Sequence, residues 1–412
     1  MPDLKERLAK LGFAPATTLP KPAPSKSGSL VSLVGGEKII RQEGEVILVE
    51  HCYPYGSQYG RIVLRAPEQI NQLSKFSLPD DAAGKPMQLF FVDTETTGLS
   101  VGTGTLPFLI GFGFFDEVGF QTRQLLLENP ADEVAQLCEL ERFLHKFETT
   151  VSFNGKSFDL PILRTRFLIN KLPSPFERFQ HIDLLHIARK LWKLRLEDRS
   201  LKELEGHILG YSRSDDDLPG WMIPQVYFDF LRTGNAELLK NVIYHNEVDM
   251  VSMGALYLVI NEMLSEAQGS AALNILDTFS LAKMNFQVGD AQKALGLFEV
   301  CIREQGTPEA LKREASLLSA SLHKGAGNFE EALPHWERAV ALGSVDACTE
   351  LAKYYEHRRK DLNEAAKWTT TALSLIEKEK MPRYQKSKLI LELTKRLSRV
   401  KRSTDDIQEK EG

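Results

Sequence analysis

The residues in this chain with the clearest chemical potential are acids. In Phe91-Val92-Asp93-Thr94-Glu95-Thr96-Thr97-Gly98, two carboxylates stand two residues apart behind an apolar run that opens at Leu89. A run of this kind reads as a buried strand, and strand alternation puts Asp93 and Glu95 on one face, about 7 Å apart. Carboxylates held that close at the end of a buried strand repel one another, and a divalent cation relieves the repulsion. Oxygen donors without a cysteine or a pair of histidines nearby favour Mg2+ or Mn2+ over zinc. A lone Asp-x-Glu also fits acids merely solvated at a strand end, so further acids decide its meaning.

Two further segments supply them. Ser152-Phe153-Asn154-Gly155-Lys156-Ser157-Phe158-Asp159 reads as a strand delivering Asn154-Gly155 into a turn, with Asp159 opening the next helix. A carboxylate there complements the helix dipole and can also serve simply as a cap. Tyr244-His245-Asn246-Glu247-Val248-Asp249 lies within a long helical pattern. His245 and Asp249 are four residues apart and share a helix face, which suits a metal ligand beside a general base as well as an ordinary surface pair.

These residues need a framework. Residues 1–12 carry Leu4, Leu8 and Leu11 at helical spacing, and 14–29 form a Pro/Ala/Ser-rich tether, so 1–30 reads as a helix plus flexible lead. Residues 31–85 contain alternating strands at 37–65 and read as a small β extension. Residues 86–265 are mixed α/β: three early strands, including a hairpin around Asp116–Gly119, then strand and helix in alternation. That order predicts a mixed sheet flanked by helices. From 270 to 402 the strand signals stop, and 403–412 form a tail. Segments starting at 289, 327 and 360 resemble one another, 38 and 33 residues apart, near the period of tetratricopeptide helix pairs. Their matched small and large positions are Ala294/Leu295/Phe298, Ala332/Leu333/Trp336 and Ala365/Ala366/Thr369. A plain helical bundle also accommodates them.

Taken together, the acid segments resemble those of the DnaQ-like (DEDD) exonucleases of the ribonuclease-H-like superfamily. The stretch 86–264 is most similar to the YprB-type family through 97–113, 181–192, 196–221 and 244–253. The resemblance implies a ribonuclease-H-like α/β domain followed by an all-α, tetratricopeptide-like repeat region. It also implies that Asp93, Glu95, Asp159 and Asp249 hold two divalent ions, Mg2+ or Mn2+, about 3.5–4 Å apart. The implied activity is phosphodiester hydrolysis, a 3′→5′ exonuclease on single-stranded DNA or RNA. An endonuclease on the same site, or a scaffold that binds nucleic acid while its repeats recruit protein, remain alternatives. The chain departs from the family at one point: Tyr244 and His245 exchange the usual places of the two base residues. Helical geometry sets position −4 about 40° from Asp249 and −5 about 140° away, so His245 is the expected base and Tyr244 is expected to pack inward.

With 51 Lys+Arg against 56 Asp+Glu, the net charge of −5 excludes a uniformly basic nucleic-acid coat but not local basic surfaces. Residues 186–202 carry a local +4 that includes Arg189 and Lys193, beside Trp192, which reads either as a stacking group or as core. Lys156, Arg164 and Arg166 follow the second acid segment, with Thr96 and Asn154 nearer the acids; all are expected to reach nucleic acid. Asp183 is expected to support the acids, and 377–402 carries a net +7. Four separated cysteines argue against a disulfide framework or a zinc site. The charged N-terminus and the lack of about 18 uninterrupted apolar residues lead to the expectation of a cytoplasmic protein without a membrane span.

Overall fold

The computed structural model describes residues 30–67, 73–77, 88–98, 102–265, 273–378 and 381–411, of which 77, 378 and 403–411 are described by backbone alone. The expected helix at 1–12 and tether at 14–29 lie outside the described residues.

The chain divides into two compact units, residues 1–189 with 198–265 and residues 190–197 with 266–412. In the first, α1 (Leu30–Val34) precedes β1 (Glu37–Arg41), β2 (Gly44–Pro54), β3 (Gln58–Tyr59) and β4 (Ile62–Val63). Next come β5 (Leu89–Thr96), β6 (Pro107–Phe115), β7 (Gly119–Leu126), α2 (Glu133–Leu144), β8 (Thr149–Ser152) and α3 (Asp159–Ile169). β9 (Gln180–Asp183), α4 (Leu184–Leu191), α5 (Leu201–Leu204), α6 (Ile223–Thr233) and α7 (Leu239–Ser265) complete it.

Seven strands form one mixed sheet in the order β1-β2-β7-β6-β5-β8-β9. The pairs from β1 to β5 are antiparallel, whereas β5/β8 and β8/β9 are parallel. Alternation assigns the faces. Val46, Leu48, Phe90, Val92 and Phe112 pack with Leu137 and Leu140 of α2 and Leu163 and Phe167 of α3. Ile47, Val49, Leu109 and Leu126 pack with α1, with Val226 and Tyr227 of α6, and with Val242 and Ile243 of α7. Two covered faces explain why the central strands are apolar almost throughout.

The residues expected to form a small β extension contribute strands to the main sheet. β2 runs along β7 from Ile47↔Leu126 to Pro54↔Gly119, so β1 and β2 extend the main sheet. The cause is visible in β2 itself, where Val46 to Val49 are all buried and supply both cores. Among the described residues, only the β3/β4 pair stands outside that sheet. Two elements carried no clear sequence signal. β9 is four residues long with three of them polar, and α6 follows a turn-rich segment. α7 is long and apolar enough to span a membrane by composition, but most of it is buried inside its own unit.

The second unit is helical: α8 (Ile275–Gln287), α9 (Ala291–Arg303), α10 (Glu309–Gly325), α11 (Phe329–Ala341), α12 (Val345–Tyr354), α13 (Leu362–Lys378) and α14 (Arg383–Glu411). Each packs on the next in chain order. Ala294 and Phe298, Ala332 and Trp336, and Ala365 and Thr369 are buried on α9, α11 and α13. Glu356, buried in the turn after α12, accepts from Arg396 and from Arg399 (Nη2–Oε1 2.6 Å), which pins α14. Trp192, grouped with this unit, is 0% exposed and is core rather than a stacking surface. Its neighbour Arg195 pairs with Asp277 at 3.1 Å.

Candidate active site

β5 distributes the chemistry by its pleat. Phe91, Asp93 and Glu95 share the face toward α7, where Phe91 meets Tyr257 edge-on with ring centroids 5.7 Å apart. Thr94 points the other way and donates its backbone N–H (3.0 Å) and its hydroxyl (2.6 Å) to Asp159 Oδ1. α3 starts at Asp159 itself, after a turn in which Asn154 adopts φ 68°. Gly155 is required there, because a Cβ would lie 2.5 Å from Ser152 Oγ and 3.2 Å from Asp159 Oδ2. Asp183, at the end of β9, accepts from the Asn154 and Lys156 N–H groups at 2.9 and 3.1 Å. Its support for the acids therefore runs through the shape of this turn.

α7 contributes three side chains, His245, Asn246 and Asp249. Asn246, fully buried, donates Nδ2–H to Asp93 Oδ2 at 2.8 Å and accepts from Gln124 Nε2 at 2.9 Å. It fits because Gly111 stands between Asp93 and Gln124 in the sheet, and a Cβ there would sit 2.0 Å from Asn246 Oδ1. One turn on, Asp249 Oδ2 lies 3.7 Å from His245 Nε2, which also lies 3.8 Å from Glu95 Oε1. His245 Nδ1 points the opposite way and is 2.7 Å from Asp217 Oδ1.

The loop 210–219 adds residues that sequence reasoning missed. Arg213 pairs bidentately with buried Glu205 (Nε–Oε2 2.7 Å, Nη2–Oε1 2.5 Å), donates to Asp249 Oδ1, and reaches Asp217 Oδ1 at 3.3 Å. The run Asp215-Asp216-Asp217 beside one arginine was the available signal, but nothing in a loop fixes which acid turns inward. Asn246 and Gln124 were equally hidden, since neutral amides on apolar elements announce no charge.

Burial, followed by the charges of Asp249 and Asp159, holds the Asp93 carboxyl well above its ordinary range. Burial also raises Glu95, with Asp93 the next cause. Asp159 is pushed up to about 6 by burial, against the opposing Thr94 hydrogen bonds. Asp217 moves the other way: burial raises it, but the His245 hydrogen bond and the Arg213 charge prevail and hold it below the usual carboxylate range. Three of the four acids thus resist ionisation together and would be relieved by added positive charge. Among the described residues, no group of three or more His, Cys, Asp or Glu side chains stands ready to hold a metal ion. One oxygen each of Asp93, Asp159 and Asp249 is already engaged by Asn246, Thr94 and Arg213.

The expected nucleic-acid contacts divide. Asn154 and Lys156 are exposed at the turn before Asp159, and Arg189 is exposed at the end of α4. Lys193 is exposed but grouped with the helical unit. Thr96 is buried and donates its hydroxyl to the Gly98 carbonyl at 2.6 Å. Arg164 is engaged by Glu177 (3.3 Å) and the Phe176 carbonyl (3.2 Å), and Arg166 by Glu133 (Nη2–Oε2 2.6 Å). Tyr244 does not pack inward. It is half-buried, and its hydroxyl accepts from Ser214 N–H at 3.1 Å, while the inward place belongs to Asn246.

Comparison with known proteins agrees with this architecture. Residues 90–261 match the RNase_H_2 model of the RNase H superfamily, a group of generally hydrolytic nucleases. The chain is also 33% identical over 362 residues to the uncharacterized protein YprB of Bacillus subtilis (strain 168), covering 84% of this chain and 85% of that protein. With its mixed seven-stranded sheet and acid-bearing β5, the chain carries a domain of the RNase H superfamily and belongs to the same family as YprB.

Proposed function

We propose that the chain is a divalent-metal-dependent nuclease, a 3′→5′ exonuclease acting on single-stranded DNA or RNA. The observation that carries this reading is the meeting of Asp93, Glu95, Asp159 and Asp249 from one strand and two helices, on both sides of one pleat. The donor set suits Mg2+ or Mn2+: hard oxygens whose proton affinity is raised by burial and mutual repulsion. These four residues would hold two ions, which supply water activation and stabilisation of the departing oxygen when bound.

The chain's own groups have separable tasks. His245 accepts a proton at Nε2, the nitrogen facing Glu95 and Asp249. Asn246 and Thr94 hold the carboxylates of Asp93 and Asp159 in place. Asn154 and Lys156, exposed beside Asp159, are suited to phosphate oxygens, with Arg189 as a further contact. The repeated buried small and large positions of α9, α11 and α13 support a tetratricopeptide-like region that docks a protein partner. The reading places the protein in the cytoplasm.

The test is a panel of labelled single- and double-stranded DNA and RNA, each end blocked in turn, with Mg2+ or Mn2+. We expect mononucleotides released from a free 3′ end, and activity at background in Asp93→Asn. Equal turnover by wild type and variant would sink the site assignment, and defined internal fragments would make the enzyme an endonuclease.

A further inference from the structure

His245 has two nitrogens with different neighbours. Nε2 looks toward Glu95 and Asp249, whereas Nδ1 lies 2.7 Å from Asp217 Oδ1. A carboxylate can only accept in such a bond, so a proton sits on Nδ1, and in the neutral ring the Nε2 lone pair faces the acids. Asp217 is held as the anion by position. Its side chain is 7% exposed, with Arg213 Nη1 at 3.3 Å and Lys202 Nζ at 3.6 Å.

Arg213 ties this pair to the rest of the site. Its guanidinium is gripped on one side by Glu205, 1% exposed, which also accepts from Ser252 of α7 at 2.7 Å. Its other side reaches Asp249 and Asp217 together. The loop is thereby fastened to α7 beside both His245 and Asp249. Arg213 Nη1 also lies 3.3 Å from His245 Nδ1. Both groups cannot donate across that gap, so the tautomer depends on which of Asp217 and Arg213 the ring answers to.

We infer that Asp217 is a positioning residue for His245, fixing its Nδ1–H tautomer so that Nε2 stays free to accept a proton, with Arg213 registering Asp217 against Asp249. This rests on the nuclease reading for its catalytic consequence. A purely structural ion cluster would leave the tautomer indifferent to Asp217.

The experiment uses the full-length chain. Long-range nitrogen-15 NMR at one fixed pH, with His245→Gln to assign the ring, reads the tautomer of wild type, Asp217→Ala and Asp217→Asn. The same proteins are assayed for kcat and KM with Mn2+ on whichever substrate wild type degrades. We expect Nδ1–H in wild type. In Asp217→Ala, Arg213 becomes the donor to Nδ1, the proton moves to Nε2, and kcat falls about 10–100-fold with KM little changed. Asp217→Asn keeps an oxygen that accepts from both neighbours, so it retains Nδ1–H and most of kcat, which also guards against misfolding of the alanine variant. A wild-type Nε2–H ring, an unchanged tautomer in Asp217→Ala, or a switched tautomer with unchanged kcat would each overturn the inference. Lack of turnover by wild type on every substrate defeats the nuclease reading and the catalytic part of this one. The tautomer spectra then still decide the hydrogen bond, so the two failures are told apart.

Discussion

Replacing Gly111 by alanine probes how the acid strand and α7 are registered. The new Cβ would stand 2.0 Å from Asn246 Oδ1, 2.7 Å from its Cγ and 2.8 Å from its Nδ2, all closer than a carbon can approach. Because α7 is packed along its length, Asn246 must swing out of its pocket and give up its bonds to Asp93 and Gln124. Overpacking costs about 1–3 kcal/mol. The bond to the carboxylate is worth ~1.5–3 kcal/mol and the amide–amide bond ~1 kcal/mol, giving a loss of about 3–7 kcal/mol in all. Asn246→Ala alone forfeits the two bonds but introduces no clash, at about 2–4 kcal/mol. The double variant then has nothing left to clash, so Gly111→Ala/Asn246→Ala should resemble Asn246→Ala and exceed the additive expectation in stability by at least ~2 kcal/mol. Urea unfolding followed by far-ultraviolet circular dichroism closes the cycle. Additivity within about 0.5 kcal/mol, or an unperturbed Gly111→Ala protein, would refute the reasoning.

Two further expectations concern other parts of the chain. His181, half-buried and 2.7 Å from Ser152 Oγ, has its pKa lowered to about 4, chiefly by burial. The unfolded imidazole takes up its proton first, so this residue's contribution is intact above the ordinary histidine range and is lost as pH falls through it. The loss levels off near pH 4 at ~1–3 kcal/mol. His181→Gln should flatten that part of the stability profile, and an identical acid limb in the variant would contradict the assignment. Glu356→Ala leaves Arg396, with a side chain 17% exposed, without its carboxylate. We expect a loss of about 2–4 kcal/mol together with faster hydrogen exchange in α14. Unchanged exchange there would show that apolar packing alone holds the helix.

The mixed sheet flanked by helices, with a helical region after it, was legible because apolar runs, alternation and helical spacing are local patterns. Alternation placed Asp93 and Glu95 on a common face, and four-residue spacing put His245 beside Asp249. What stayed hidden depended on partners distant in sequence. β1 and β2 read as an appendage because their pairing with β7 is not written in their own residues. Trp192 read equally as surface or core until its neighbours were known. Arg164 looked available as a cation, yet Glu177 engages it. Arg213 and Asp217 sit in a loop whose path, not its composition, carries them to His245.

The two-sided use of β5 also bears on the order in which the chain is made. Asp93, Asp159 and Asp249 emerge in that sequence, and the last arrives only with α7, which begins at Leu239. A nascent or truncated chain ending before that helix can pair β5 with its neighbouring strands and seat Asp159 on Thr94. It then has three of the four acids, no histidine facing them, and an open sheet face where α7 belongs. Completion of the site therefore coincides with completion of the first core, so a chain in which the whole acid cluster has assembled is also one whose sheet is covered.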